Sequence, residues 1–202
     1  MNIYEEYGPN VFEGVGKSDK KITLALRLVA LVGFMVLIFG AVMEFAFMDT
    51  WLLEVTMGII TCGIILFVLP LGFSIFLRGH VRKGKKAMKH YGVDAFAIRR
   101  FDQACAQGNV TSFSSGAITD EHVLLIPYAA VLPLREIVHI YCKIYNNVNH
   151  VVGGHEENLS CHMFLTFSNG KKFDWVFHCE QERDLVALYL KEHCPNAVVE
   201  NN

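Results

Sequence analysis

Two uninterrupted apolar runs constrain this chain more than any other feature. Ile22 to Phe47 reads ITLALRLVALVGFMVLIFGAVMEFAF, and Leu52 to Leu77 reads LLEVTMGIITCGIILFVLPLGFSIFL. Each exceeds the roughly 20 residues that an α-helix needs to cross a hydrocarbon layer about 30 Å thick. Each is apolar on every face, so no globular core built from the rest of a 202-residue chain would cover it. A cleaved signal peptide does not fit the first run. Its apolar stretch is too long, no small-residue cleavage site follows, and a second run comes almost at once. The pattern predicts two transmembrane helices, at 22–47 and 52–77, forming a tight antiparallel hairpin through Met48, Asp49, Thr50 and Trp51.

Composition agrees with lipid as the solvent. The chain is 52% hydrophobic and 19% charged, with a mean hydropathy of +0.32, which excludes a disordered chain and is unusual for a soluble domain. A net charge of −2 gives no global basic excess, so nucleic acid is not an expected partner. Orientation follows from the cations. Lys17, Lys20 and Lys21 close an N-terminal segment, 1–21. Arg78, Arg82, Lys83, Lys85, Lys86 and Lys89 fill a basic juxtamembrane linker, 78–92, and the connecting turn holds no Lys or Arg. The positive-inside rule then puts both termini in the cytoplasm, as in a multi-pass protein of the cell membrane. The sequons at Asn109 and Asn158 are accordingly read as chance matches. The six cations are the flank that such a hairpin needs. They are also candidates for contact with anionic lipid headgroups, at about 1 kcal/mol each.

Arg27, Glu44 and Glu54 interrupt the apolar runs near their ends, where snorkelling or the external turn keeps each in reach of water. Two helices alone cannot enclose a pore. An ion or proton path through these residues would therefore require an oligomeric transport or channel complex, which is the alternative reading. Gly33 with Gly40, and Gly58 with Cys62, are expected to let the two helices approach closely, and Pro70 to kink the second. A homo-oligomer is compatible with the same spacing.

The remainder, 93–202, is polar and long enough to fold by itself. Asp94 is placed to cap a short helix that runs through Gln107 and stops at Gly108; Val93, Phe96, Ala97, Phe101 and Ala104 have helical spacing. Short strands are expected at Thr111–Ser115, His122–Pro127, Ala129–Leu132 and Ile137–Tyr145, followed by a Gly- and Asn-rich loop from Asn146 to Asn158. Leu159–Phe167 and Lys172–Cys179 flank Ser168-Asn169-Gly170-Lys171, which reads as a two-residue type I′ hairpin. That turn would set Phe167 opposite Lys172, Phe164 opposite Trp175 and Cys161 opposite His178, with apolar groups on both faces. A terminal helix is expected at Gln181–His193, its buried stripe Leu185, Leu188 and Tyr189, closed by Pro195.

Catalytic signatures are not met. Gly153-Gly154-His155-Glu156-Glu157 lacks the second His of a zinc-protease helix, because Leu159 stands there. Ser112, Ser114 and Ser115 lack a nucleophile elbow, and Gly84-Lys85-Lys86 has no upstream glycine loop. The chain is thus read as a non-enzyme without a cofactor. The pair Cys161 and His178 would supply half of a tetrahedral zinc shell, which makes a metal or redox sensor a further alternative. Packed strand histidines and small apolar cysteines account for the same residues. Disulfides are not expected in a reducing cytoplasm.

The segments ITDEHVLLI (Ile118–Ile126), VLPLREIVHIYC (Val131–Cys142), NGKKF (Asn169–Phe173) and ERDLVALYL (Glu182–Leu190) follow one another in an order that resembles the bacterial pleckstrin-homology-like (PH-like) domains. These are frequently tethered to a transmembrane hairpin in Firmicutes-type membrane proteins. The resemblance spans roughly Ala117 to Cys194. It implies a small antiparallel β-barrel or sheet with a C-terminal helix, so the whole is expected to be an α+β membrane protein. The implied role is a binding or scaffolding module at the cytoplasmic membrane face, whose partner would be another membrane or cytoplasmic protein. No catalytic residues come with it.

Overall fold

The structure is a computed structural model that describes residues 7–8, 10–46, 50–151, 154–194 and 196–201. Side-chain surroundings are described for these except at 45–54, 147–158 and 201. The chain divides into two compact units. One comprises Gly16–Arg82; the other joins the N-terminal residues through Val15 to everything from Lys83 onward.

The first unit is formed by two long helices, α1 (Val11–Ala46) and α2 (Thr50–His90). At 36 and 41 residues, both are long and apolar enough to cross a membrane, by length and composition. They pack against each other where side chains are smallest. A Cβ at Gly33 would collide with the backbone at Leu66 and Phe67, and one at Gly63 would meet Leu37 at 2.8 Å. Gly40 sits against Ile59 and Ile60. Gly58, expected to share this role, has nothing within 4 Å. Of the expected turn, Met48 and Asp49 lie outside the described residues, whereas Thr50 and Trp51 already belong to α2; the side chain of Glu54 is also outside the described residues. Both helices overrun the apolar runs at their polar ends, α1 starting at Val11 and α2 reaching His90.

In the second unit, Asp94 caps α3 (Ala95–Ala106) through the N–H groups of Phe96 and Ala97, at 3.0 and 2.8 Å. Phe101 and Cys105 are its buried residues, whereas Phe96 is exposed. Two four-stranded sheets follow. β1 (Thr111–Phe113), β2 (Gly116–Ile118), β3 (His122–Leu125) and β4 (Ala130–Pro133) form an antiparallel meander. β5 (Ile137–Val151), β6 (Gly154–Phe167) and β7 (Lys172–Phe177) form a second, and β8 (Val198–Asn201) joins β5 in parallel after α4 (Glu180–His193). The two sheets stay separate, so the expected barrel is not closed. A short 3-10 turn at Leu134–Glu136 separates β4 from β5, and a register shift at Ile137/His139 interrupts the β5–β6 ladder near its start.

Three local expectations are corrected. First, the stretch 146–158 is mainly strand: β5 and β6 stay paired from Asn146↔Leu159 out to Val151↔Gly154, overriding a composition that reads as loop. Second, the β6–β7 turn is not type I′, which needs positive φ at both central residues. Gly170 has φ +74, Asn169 does not share it, and the Phe167 N–H donates to the Lys171 carbonyl at 3.0 Å. The loop is therefore three residues, and every predicted partner moves by one: Met163 faces Trp175, Phe164 faces Asp174, and Cys161 faces Phe177. Cys161, Met163, Leu165, Phe167, Phe173, Trp175 and Phe177 then all point into one core. Third, α4 buries Arg183, Val186, Ala187 and Leu190, leaving Leu185 and Leu188 at 64% and 57% exposure.

The last point is testable. Leu190→Ala should cost about 2–5 kcal/mol, while Leu185→Ala should change stability by no more than about 0.5 kcal/mol. Unfolding of the detergent-solubilised chain, followed by the fluorescence of buried Trp175, measures both; equal losses would contradict the observed helix face.

Candidate functional site

The six cations after the apolar run lie on one uninterrupted helix, and their surroundings divide them. Arg78, Arg82, Lys85, Lys86 and Lys89 are exposed. Lys83 is not. Its ammonium donates to the Lys172 carbonyl and lies 4.9 Å from the Phe173 ring centroid and 5.5 Å from that of Tyr128. Burial lowers its pKa, with the Asp174 carboxylate pulling the other way. Its neighbours on the helix explain the approach. A Cβ at Gly84 would fall on the Tyr128 carbonyl oxygen, and Ala87 and Met88 belong to the main core. Tyr91 continues the contact, its ring 5.8 Å from that of Phe167 and its hydroxyl accepting from the Asn169 N–H at 3.3 Å. The last turns of α2 are thus part of the core, and the β6–β7 turn rests on them.

The start of α1 is held as well. Val11 and Val15 are buried, and the Phe12 N–H donates to Asp102 Oδ1 on α3 at 3.1 Å. This carboxylate meets a helix N-terminus, where a negative charge is favoured.

Other candidate groups are placed as follows. Arg27 and Glu44 are exposed on α1. Cys161 is buried opposite Phe177, whereas His178 lies exposed beyond the end of β7, so the two are not brought face to face. Among the described residues, no three His, Cys, Asp or Glu side chains converge as a metal-binding group. Burial pushes the Cys105 thiol up to about 12 and that of Cys194 up to about 11, and it raises Cys142 and Cys161 too, which keeps these thiols protonated and unreactive. Cys179 is exposed.

The corrected register reveals a polar line that the predicted one hides. On the outer face of the second sheet, His162 Nδ1 lies 2.8 Å from Asp174 Oδ1 and its Nε2 lies 3.2 Å from Ser160 Oγ. The His162 ring stacks on Phe164 and meets Tyr145 edge-on, and Lys143 covers Tyr145. The line has the connectivity of a nucleophile, base and carboxylate, and it lies on a sheet face. A cavity of about 480 Å³ lies elsewhere, lined by Tyr91, Phe96, Arg100, Glu121, His122 and His193 among others. Within its lining, Arg100 pairs with Glu121. Burial lowers the pKa of His122, opposed by Glu121, and so favours a neutral ring there.

No protein-family model, curated protein or solved structure matches the chain.

Asp102 yields a pH-dependent prediction. Burial raises its pKa, outweighing the Phe12 and Val11 N–H groups that lower it. The folded chain therefore holds this proton more tightly than the unfolded one. The associated stability is full below the unfolded pKa and is lost as pH rises through the folded pKa. Asp102→Asn keeps an acceptor for the Phe12 N–H and should gain on the native chain between about pH 4 and 7. Unfolding midpoints of the two across that range check it; a pH-independent difference would contradict it.

Proposed function

We infer that this chain is a membrane-anchored binding module, in which the two long apolar helices cross the bilayer and hold a sheet-and-helix domain at its cytoplasmic face. One observation carries the reading: α2 runs without a break from an all-apolar stretch into the core of the folded domain, through Gly84, Ala87 and Met88. A helix that exposes Ile64, Ile65, Val68, Leu69, Phe73, Ile75 and Phe76 needs lipid, and one that ends among buried residues cannot act merely as a disposable tether. The cation excess on the chain flanking the helices, against none between them, favours cytoplasmic termini.

A PH-like character for the domain is supported by its element order. A four-stranded meander, a three-stranded meander and a helix follow one another. A binding or scaffolding role is supported by apolar groups that the fold leaves outside, namely Leu185 and Leu188 on α4 and Tyr145 and Val176 on the second sheet.

Two measurements test the anchoring. The chain should stay in the membrane pellet after alkaline carbonate extraction. In intact cells, a membrane-impermeant maleimide should leave Cys179, exposed in the folded domain, unlabelled until the membrane is permeabilised. Release into the carbonate supernatant, or labelling of Cys179 from outside, would overturn the reading.

A further inference from the structure

The β6–β7 turn brings two more lysines to the basic end of α2. Lys171 and Lys172 follow Gly170 directly, and the backbone of this turn is held on the helix by two fastenings: Lys83 bonds the Lys172 carbonyl, and Tyr91 bonds the Asn169 N–H. Lys171 is close enough to Lys83 for its charge to be felt there. Lys172 is exposed, and Lys171 is half-buried. On the helix, Gly84, Ala87 and Met88 turn inward, which leaves Lys85, Lys86 and Lys89 on the outer surface. Lys83 thereby ties the backbone that carries Lys171 and Lys172 to the helix that carries Lys85, Lys86 and Lys89.

We propose that Lys85, Lys86 and Lys89 of α2, together with Lys171 and Lys172 of the β6–β7 turn, form a contact surface for the phosphate groups of anionic phospholipids. The proposal rests on the membrane-anchored reading above. Lys83, which the sequence groups with the lipid-contacting cations, serves as the strut instead: its charge is turned inward and fixes the turn against the helix. Distance along α2 favours lipid over a soluble anion. Lys83 lies six residues past Leu77, the end of the apolar run, or about 9 Å at 1.5 Å per residue. Lys85 follows about 3 Å further on. Along α2, that puts Lys83 about one Debye length past the end of the hydrocarbon-compatible segment. Held there, the turn has its position set by the helix, and lipid contact would orient the domain rather than recruit it.

The experiment is lysine footprinting of the full chain in lipid nanodiscs. A brief pulse of an amine-acetylating reagent is applied in discs of pure phosphatidylcholine and in discs containing phosphatidylglycerol, with modification read by mass spectrometry. At about 1 kcal/mol per cation near an anionic surface, acetylation of Lys171 and Lys172 should fall about fivefold in the anionic discs, as should that of Lys85, Lys86 and Lys89. Lys191 on α4 is the internal reference, expected to react equally in both. Lys83 should react slowly in both. A Lys171→Glu/Lys172→Glu variant should lose much of the protection at Lys85, Lys86 and Lys89. Because Lys83 bonds only the backbone of residue 172, this substitution leaves the strut in place.

Equal reactivity of Lys171 and Lys172 in the two discs would overturn the proposal while leaving the anchoring intact. Failure of the chain to incorporate into discs at all would instead overturn the anchoring. A third arm adds inorganic phosphate to the phosphatidylcholine discs. Protection there equal to that in the anionic discs would assign the surface to a soluble anion and overturn the lipid assignment.

Discussion

Where α2 meets the folded domain, the helix comes so close to the Tyr128 carbonyl that no side chain fits at Gly84. The approach lets Ala87 and Met88 reach the core and brings the Lys83 ammonium over two aromatic rings. A cation taken from water costs several kcal/mol unless it finds partners. Here a carbonyl oxygen and the negative ring faces of Phe173 and Tyr128 replace part of its hydration. Lys83 is also the only one of the six flanking cations that is not exposed, which separates anchoring from surface charge within a single helical segment. Asp102 does corresponding work at the other end, receiving the first turn of α1 on its carboxylate. The polar ends of both long helices are thus fastened to the domain by ionisable side chains, each partly withdrawn from water.

This arrangement explains which boundaries were legible in the sequence. The apolar runs announce themselves because every face is apolar for longer than any globular helix requires. Their helical continuations do not. Between Arg82 and His90 the inward positions are Gly84, Ala87 and Met88, too few to make a visible stripe among four lysines, an arginine and a histidine. The cap of α3 was readable because Asp94 is a local signal acting over three residues. The buried face of α4 was not, because two apolar stripes compete on that helix. Leu185, Leu188 and Tyr189 have the larger side chains, yet Val186 and Ala187 are the ones that allow close approach to the sheet, and tertiary packing decides between them. β8 is similarly silent: its pairing is parallel and non-local, and no turn signal links it to β5.

The candidate surfaces were legible in composition and hidden in partnership. Charge alone identifies Lys85, Lys86 and Lys89, but nothing local connects them with Lys171 and Lys172, some eighty residues later. The connection is made by Tyr91 and Lys83 reaching the turn. The His162 line was obscured by a single dihedral angle. Asn169-Gly170 is the usual signal for a two-residue turn with positive φ at both positions. Here the Asn169 side chain instead accepts from the Lys171 N–H at 3.0 Å, a local bond that closes a turn with only Gly170 at positive φ.

That one-residue difference decides what the second sheet offers to a partner. In the predicted register Phe164 and Trp175 share a face and Met163 and Leu165 lie on the other, so both faces would need covering. In the observed register the large apolar groups Phe167, Phe173 and Trp175 are all fully buried on one side. The other side carries Tyr141, Lys143, Tyr145, Ser160, His162, Phe164 and Asp174, rings interleaved with hydrogen-bonding groups. Such a surface is stable in water without a cover, because its polar atoms are partnered across the strands and its rings shield one another. It also has the composition of a contact surface, since amphipathic rings add apolar area at little cost in side-chain entropy. Fixed turn geometry, rather than the list of residues in the strands, is therefore what turns an apparently two-sided apolar sheet into a core on one side and a face of interleaved rings and polar groups on the other.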